Sequence, residues 1–278
     1  MFEHLTWLAC QVEANWCMAW ASLGAVDAVP RTVVEDTPEC LRVYTPGVHA
    51  TLMNLVVRYR GARPDRAVAL GDIERTLDPY RQHHLLTQWW VMRDAGEPPT
   101  LRDQLNAAGM RCVDGAPAMT LDLRDWRPRY FPAPAGATFA RVATAQDAAD
   151  ALSVICAVYY VPGDAAPHWA RWTTNNPAFT MYLARLGGQP AAALGILPVG
   201  AVAGVYHVAT LPWARRRGLA GNLLLLALAD ARAAGCQLST LTATPDARAL
   251  YERLGYRAVG LLEQWLPGSR LARDLTGG

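Results

Sequence analysis

What the chain lacks narrows its class first. Its six cysteines, Cys10, Cys17, Cys40, Cys112, Cys156 and Cys236, form no CxxC pair and have no histidine at zinc spacing. That argues against a zinc module or a disulfide scaffold, and such a scatter reads as free thiols in a reducing compartment. Charge is also scarce. Charged residues make up 18% of the chain and the formal net charge is +2, so bulk attraction to nucleic acid is not expected. No apolar run is long enough to span a membrane. The most apolar stretch, residues 190–205, is broken by Gly195, Pro198, Gly200 and Gly204 and reads as two strands and a turn. Residues 1–25 open without a basic region and carry Glu3 and Glu13, unlike a secretory leader. These absences set the expectation of a soluble, cytoplasmic protein with no nucleic-acid or membrane partner.

What is present is a large apolar content. Hydrophobic residues reach 52% in 278 residues, enough for a sizeable core and for two domains of ordinary size. Residues 127–136 (RPRYFPAPAG) hold three prolines in ten and little periodicity, which marks a linker. The expected division is therefore 1–128 and 136–278.

The second part reads in order. A strand over 138–142 leads to a helix over 148–158, which Thr144 and Asp147 open in the manner of a capping box. An irregular aromatic segment follows at 159–176. Strands are expected at 179–186, 191–197 and 203–210, then a Leu/Ala-rich helix at 219–234 ended by Gly235. A strand at 237–243, a helix at 246–254 and a strand at 256–265 complete it. Strands that meander and then alternate with helices predict a mixed α/β (α+β) layer fold. The first part is less periodic. Helices are expected at 3–23, 67–80 and 99–108, and strands at 42–45, 51–60, 85–92 and 118–123.

The most informative stretch is residues 205–226, VYHVATLPWARRRGLAGNLLLL. A β-rich run stops at Pro212, three arginines turn the chain, and a helix opens among Gly218, Ala220 and Gly221. Small residues admit close approach of a ligand, and the first helical turn offers unpaired N–H groups carrying about half a positive charge. Together they suit a phosphate. A Walker loop would need Lys followed by Ser or Thr, and a dinucleotide fold an acid about 20 positions on. Neither is present.

Arg215-x-x-Gly218-x-Ala220 resembles the GNAT cofactor signature [Q/R]-x-x-G-x-[G/A]. Residues 244–256 (TPDARALYERLGY) are similar to that family's N-x-x-A-x-x-L-Y-x-x-x-G-F segment, about thirty positions downstream. The resemblance covers residues 136–266. It implies a GNAT-like acyltransferase fold with a central mixed sheet and an acetyl-CoA-dependent N-acetyltransferase, with acetyl-CoA as co-substrate and no metal. Arg215, Arg216, Arg217, Gly218, Leu219, Ala220 and Gly221 would then hold the pyrophosphate. The backbone of Val208 and Thr210 would meet the pantetheine, and Tyr251 would protonate the leaving thiolate. Thr244 stands where the family usually has Asn, and keeps one hydroxyl for a pantetheine contact. Residues 85–91, 98–109 and 118–123 are similar to the degenerate half-domain that precedes the catalytic one in two-part GNAT chains.

The chemistry asks for more than the resemblance assigns. An amine of pKa near 10.4 is unprotonated in only about one molecule in 2,500 at pH 7, so a base helps. His207, on the strand entering the loop, is the candidate base, provided that a bulge turns it to the substrate. Glu263 is a weaker candidate, and Glu252 reads as a surface charge. An acceptor amine would be met by Asp164 and enclosed by Tyr160, Trp169 and Trp172. His168 is expected to be exposed, and His83–His84 to be a junction rather than a metal site. The expected partner is a small primary amine, the oligomeric state a monomer or homodimer.

Overall fold

The computed structural model describes residues 2–25, 30–61, 65–93, 95 and 100–277. Contacts gather the chain into two compact units, Met1–Ala118 with Val259–Gly278, and Met119–Ala258. These boundaries differ from the division at 128 and 136 because two strands change unit partway along their length.

In the first unit α1 (Phe2–Ala21) precedes an antiparallel meander of β1 (Val33–Asp36), β2 (Leu41–Tyr44) and β3 (Leu55–Val57). Helix α2 (Arg66–Gln82) then leads to β4 (Gln88–Met92), parallel to β3. After α3 (Leu101–Ala107), β5 (Met110–Asp122) begins here and ends in the second unit.

The second unit continues with β6 (Ala137–Arg141), α4 (Ala145–Tyr159), α5 (Ala166–Asn175), β7 (Thr180–Leu186), β8 (Gln189–Val199) and β9 (Val202–Thr210). Strands β6 to β9 form an antiparallel meander. Helix α6 (Leu219–Ala233) crosses to β10 (Leu238–Thr242), parallel to β9, and α7 (Pro245–Leu254) follows. The last strand, β11 (Arg257–Pro267), leaves this unit and pairs antiparallel with β4 of the first, where α8 (Ser269–Thr276) also belongs.

The capping box holds: the Thr144 hydroxyl accepts the Asp147 amide at 3.1 Å and starts α4. Leu219, Leu223, Leu224, Ala227 and Leu228 of α6 are buried in the second unit's core, with Leu194 and Ile196 of β8 and Tyr251 and Leu254 of α7. Three expectations need correction. Residues 159–176 are not irregular: α5 forms there because Trp169, Trp172 and Thr173 bury one face, which overrides the weak helix propensity of Trp, Thr and Asn. β5 starts at Met110 rather than 118, and β1 and α8 were not expected at all. Residues 127–136 carry no regular element and are mostly exposed, as a linker would be, but Phe131 within them lies in the core. Among the described residues no helix is long and apolar enough to cross a membrane.

Candidate active site

Strands β9 and β10 pair only over Val202–Gly204 and Leu238–Thr240. Beyond Gly204, β9 runs on to Thr210 while its pairing with β10 ends, and an extended ligand could add as a strand where the two part. On its other side β9 stays paired with β8, but not evenly. Ala193 faces Ala209 and Gly195 faces Tyr206, so His207 and Val208 together oppose one residue. This is a β-bulge, with His207 in the left-handed region at φ 56°. The bulge required for His207 to leave the ordinary alternation is therefore present.

Downstream of β9, Leu211 donates to the Ala191 carbonyl, and Ala214 and Arg215 close a tight turn. Backbone bonding resumes with Asn222, whose amide donates to the Gly218 carbonyl at 3.0 Å. Between them the amides of residues 216–221 have no backbone acceptor among the described residues, as the start of a helix dictates. No side chain caps α6, because its N-cap is Gly218 at φ 77°. Arg215 folds back, its Nε donating to the Thr210 carbonyl at 3.1 Å, while Arg216 and Arg217 stay exposed. Open amides, a helix N-terminus and two exposed guanidinium groups are an arrangement that could receive an anion such as a pyrophosphate.

The glycines answer to the protein before they answer to a ligand. A Cβ on Gly218 would stand 2.3 Å from the Pro132 carbonyl oxygen, and one on Gly221 would stand 2.7 Å from the Phe131 ring. Asn222 Nδ2 donates to the Phe131 carbonyl at 3.1 Å, and the Arg253 guanidinium lies 4.4 Å from the centre of the Phe131 ring. Residues 131–132 thus strap the first turn of α6 to α7. The sequence explained these small residues by ligand approach; the structure adds the strap.

Tyr251 projects from α7 with its ring buried against Tyr256. Burial, and then the neighbouring Tyr159, push its hydroxyl far above the ordinary phenol range. Such a group stays protonated and can serve as a donor. Thr244 forms the N-cap of α7 without a side-chain cap bond, and is exposed.

His207 is ringed by aromatic groups. Its centroid lies 4.5 Å from Trp169, 5.8 Å from Trp172 and Phe179, 5.9 Å from Tyr206 and 6.1 Å from Tyr159. Among the described residues Nε2 has no hydrogen-bond partner. Burial without a charged neighbour lowers its pKa from 6.5 to about 3. His207 is therefore neutral at ordinary pH and too weak a base to hold a proton taken from an amine. The expected role as an ordinary general base is not supported.

The acceptor residues fall apart into two groups. Trp169 and Trp172 are buried and pack on His207, whereas Tyr160 is 85% exposed and Asp164 is also exposed. Tyr160 ends α4 in the left-handed region, so its side chain leaves the cluster that Tyr159 enters. His168 is buried rather than exposed, and burial lowers its pKa. Glu263 is removed as a base: it is buried in the first unit between Arg93 at 3.5 Å and Arg102 at 3.3 Å. Glu252 pairs with Arg248 on the surface. Among the described residues no cluster of His, Cys, Asp or Glu is placed to hold a metal.

Tyr159 belongs to the aromatic segment expected to line the acceptor site, where sequence reasoning singled out its neighbour Tyr160. Its hydroxyl donates to the Val208 carbonyl at 3.3 Å and its ring meets His207 edge-on, while about half of the residue stays exposed. The tandem Tyr159–Tyr160 gave no means of choosing between the two. Three non-glycine residues in left-handed backbone, Tyr160, His207 and Arg216, lie on the segments that form this site, a clustering found where function holds strain in place.

Residues 122–256 match the profile of the acetyltransferase (GNAT) family. No curated protein matches the sequence. Among solved structures, a GCN5-related N-acetyltransferase from Kribbella flavida superposes with a TM-score of 0.70 at 22% identity, over 95% of this chain and 97% of that one. A GCN5-related N-acetyltransferase from Sphaerobacter thermophilus gives 0.61 at 15%, over 83% and 82%. A tandem GNAT protein from the clavulanic acid biosynthesis pathway gives 0.59 at 13%, over 92% and 94%. At these identities the likeness is one of fold. The chain carries a GNAT acetyltransferase domain at residues 122–256, and the chemistry of that family is acyl transfer from an acyl-CoA.

Proposed function

We propose that the protein is an acetyl-CoA-dependent N-acetyltransferase that acts on a primary amine of a small molecule, by direct attack in a ternary complex. The observation that carries this reading is the coincidence, on one strand and its loop, of three features: the parting of β9 from β10 after Gly204, the amides of residues 216–221 without a backbone acceptor among the described residues, and the buried Tyr251 side chain. Acetyl-CoA supplies the thioester. The loop amides with Arg216 and Arg217 hold its pyrophosphate, and the edge of β9 at Val208 and Thr210 aligns the pantetheine. Tyr251 gives its proton to the departing sulfur. Thr244, the exposed N-cap of α7, offers one hydroxyl where an amide side chain would offer more.

The first unit is read as a degenerate GNAT-like half that takes no cofactor. Its helix α2 is capped by its own Asp65, whose carboxylate accepts the amides of Ala67 and Val68 at 2.8 and 3.1 Å. An acyl-CoA-binding module without catalysis is the second reading, and it draws on the weakness of His207 as a base.

Calorimetry with acetyl-CoA, followed by thiol release against a panel of small amines, separates the two. The transferase reading expects binding and amine-dependent release. Binding with no release by the wild type, with or without amine, would favour the binding module, and no binding would overturn both. Tyr251→Phe is expected to slow release by about 10- to 100-fold with little change in acetyl-CoA affinity.

A further inference from the structure

The direction of β9 sets where the acceptor nitrogen must arrive. The strand runs through the bulge to Thr210 and then into the turn before α6. On the transferase reading, a pantetheine along Val208 and Thr210 with its pyrophosphate on that turn puts its thioester at the other end, beside His207. What surrounds this end, among the described residues of the second unit, is aromatic. The His207 ring centre lies 4.5 Å from Trp169 and 5.8 Å from both Trp172 and Phe179. Gly195 of β8 seats Phe179 in this wall, since a Cβ there would stand 2.0 Å from the ring. Tyr159 forms the rim: it is half exposed, edge-on to His207, and donates to the Val208 carbonyl at 3.3 Å.

The acids of the second unit are engaged otherwise. Asp122 pairs with Arg124, Asp147 and Asp150 with Arg185, and Glu252 with Arg248. Asp230 accepts from the Tyr182 hydroxyl, and Asp125, Asp164 and Asp246 are exposed rather than set among the rings. An ammonium brought against the wall would therefore lose water and gain no counter-charge, which is costly. Ring faces attract cations, but Trp169 and Trp172 are only 7% and 3% exposed, and an ammonium held there would keep the proton that bars attack.

Resting on the transferase reading above, we propose that the acceptor is a weakly basic primary amine on an apolar or aromatic body, such as an arylamine or an alkoxyamine, which reaches the aromatic wall already neutral. Its nitrogen lone pair attacks the thioester carbon, a C–N bond forms, and the carbonyl π pair moves to oxygen. The less basic the amine, the more acidic the N–H of this adduct, so solvent water takes the proton. As the π pair returns, the C–S bond breaks. Sulfur leaves with its electrons and takes a proton from Tyr251, which regains one from solvent. Amide and thiol result, and no side chain has to act as a base.

Two pairs of amines of matched shape test this: aniline against cyclohexylamine, and methoxyamine against ethylamine. At pH 7 the first of each pair is neutral and the second almost wholly protonated. Thiol release from acetyl-CoA is followed with each, corrected for release without enzyme and without amine. All 26 basic residues are arginine, so no lysine side chain of the protein competes as acceptor. For wild type, kcat/KM should be about tenfold or more higher for the weakly basic member of each pair. Tyr159→Glu sets a carboxylate at the rim and should lower both ratios by about tenfold, with acetyl-CoA affinity within about threefold of wild type by calorimetry. A smaller or reversed preference in either pair, or unchanged ratios in a Tyr159→Glu protein that binds acetyl-CoA, overturns the assignment and leaves the transferase reading standing. A wild type that binds acetyl-CoA but releases no thiol with any of the four amines overturns both.

Discussion

The two units repeat one plan and part at one point. Each has an antiparallel meander, β1 to β3 in one and β7 to β9 in the other, followed by a crossover helix to a parallel strand. In the first unit β3 is paired with β4 along its whole length, Leu55–Val57 against Gln88–Trp90. In the second β9 parts from β10 after Gly204. The helix starts differ in the same sense. Asp65 fills the amides of α2 with a carboxylate, and Arg58 and Arg60 are paired with Asp36 and Glu13. Gly218 leaves the amides of α6 open, with Arg216 and Arg217 exposed beside them. The same topology can thus hold its own anion or leave the seat for one.

The comparison can be broken most strongly at the strap that holds α6. Phe131→Ala should cost about 3–5 kcal/mol in urea unfolding and weaken acetyl-CoA binding as well, because the ring supports the first turn of the helix. Unchanged affinity in the folded variant would mean that the strap does not shape the loop. Next, reversing both exposed charges, Arg216→Glu with Arg217→Glu, should weaken acetyl-CoA binding on the order of 100-fold, or ~2.7 kcal/mol, with stability nearly unchanged. A shift below about threefold would move the pyrophosphate elsewhere.

Acid should find the second unit through His207. Its pKa is about 3 when folded against 6.5 when free, so the unfolded chain binds the extra proton. Stability from this group is complete above pH 6.5 and falls as pH drops towards 3, by at most about 1.4 kcal/mol per pH unit. His207→Asn, which tolerates left-handed backbone, should flatten that slope; the same acid sensitivity in the variant would assign it to other groups. The smallest effect is expected in the first unit. Asp65→Ala should cost about 0.5–2 kcal/mol as a lost cap. It should create no second acetyl-CoA site, since β3 and β4 remain closed. A calorimetric stoichiometry of two would undo that half of the comparison.

Much of this was legible in the chain. The period of apolar residues, the glycine after α6 and the Thr144 cap placed most elements of the second unit, because these signals are local. The arginine turn before Gly218 and the Tyr251 segment pointed to the cofactor end for the same reason: loop, helix start and signature lie within a few residues of one another. The first unit was harder to read. β1 and α8 are short, at Val33–Asp36 and Ser269–Thr276, and leave little periodicity to detect. α5 was hidden by residues of weak helix propensity that form a helix only when Trp169 and Trp172 are buried.

The sequence by itself determined the family signature and the mixed layer class, both of which follow from the pattern of contiguous residues. Only the tertiary structure decided that β11 belongs with the first unit, that Phe131 and Pro132 account for Gly218 and Gly221, and that His207 is too weak a base. Each of these depends on groups far apart in the chain that burial and strand pairing bring together, and burial is what sets a pKa or makes a Cβ impossible.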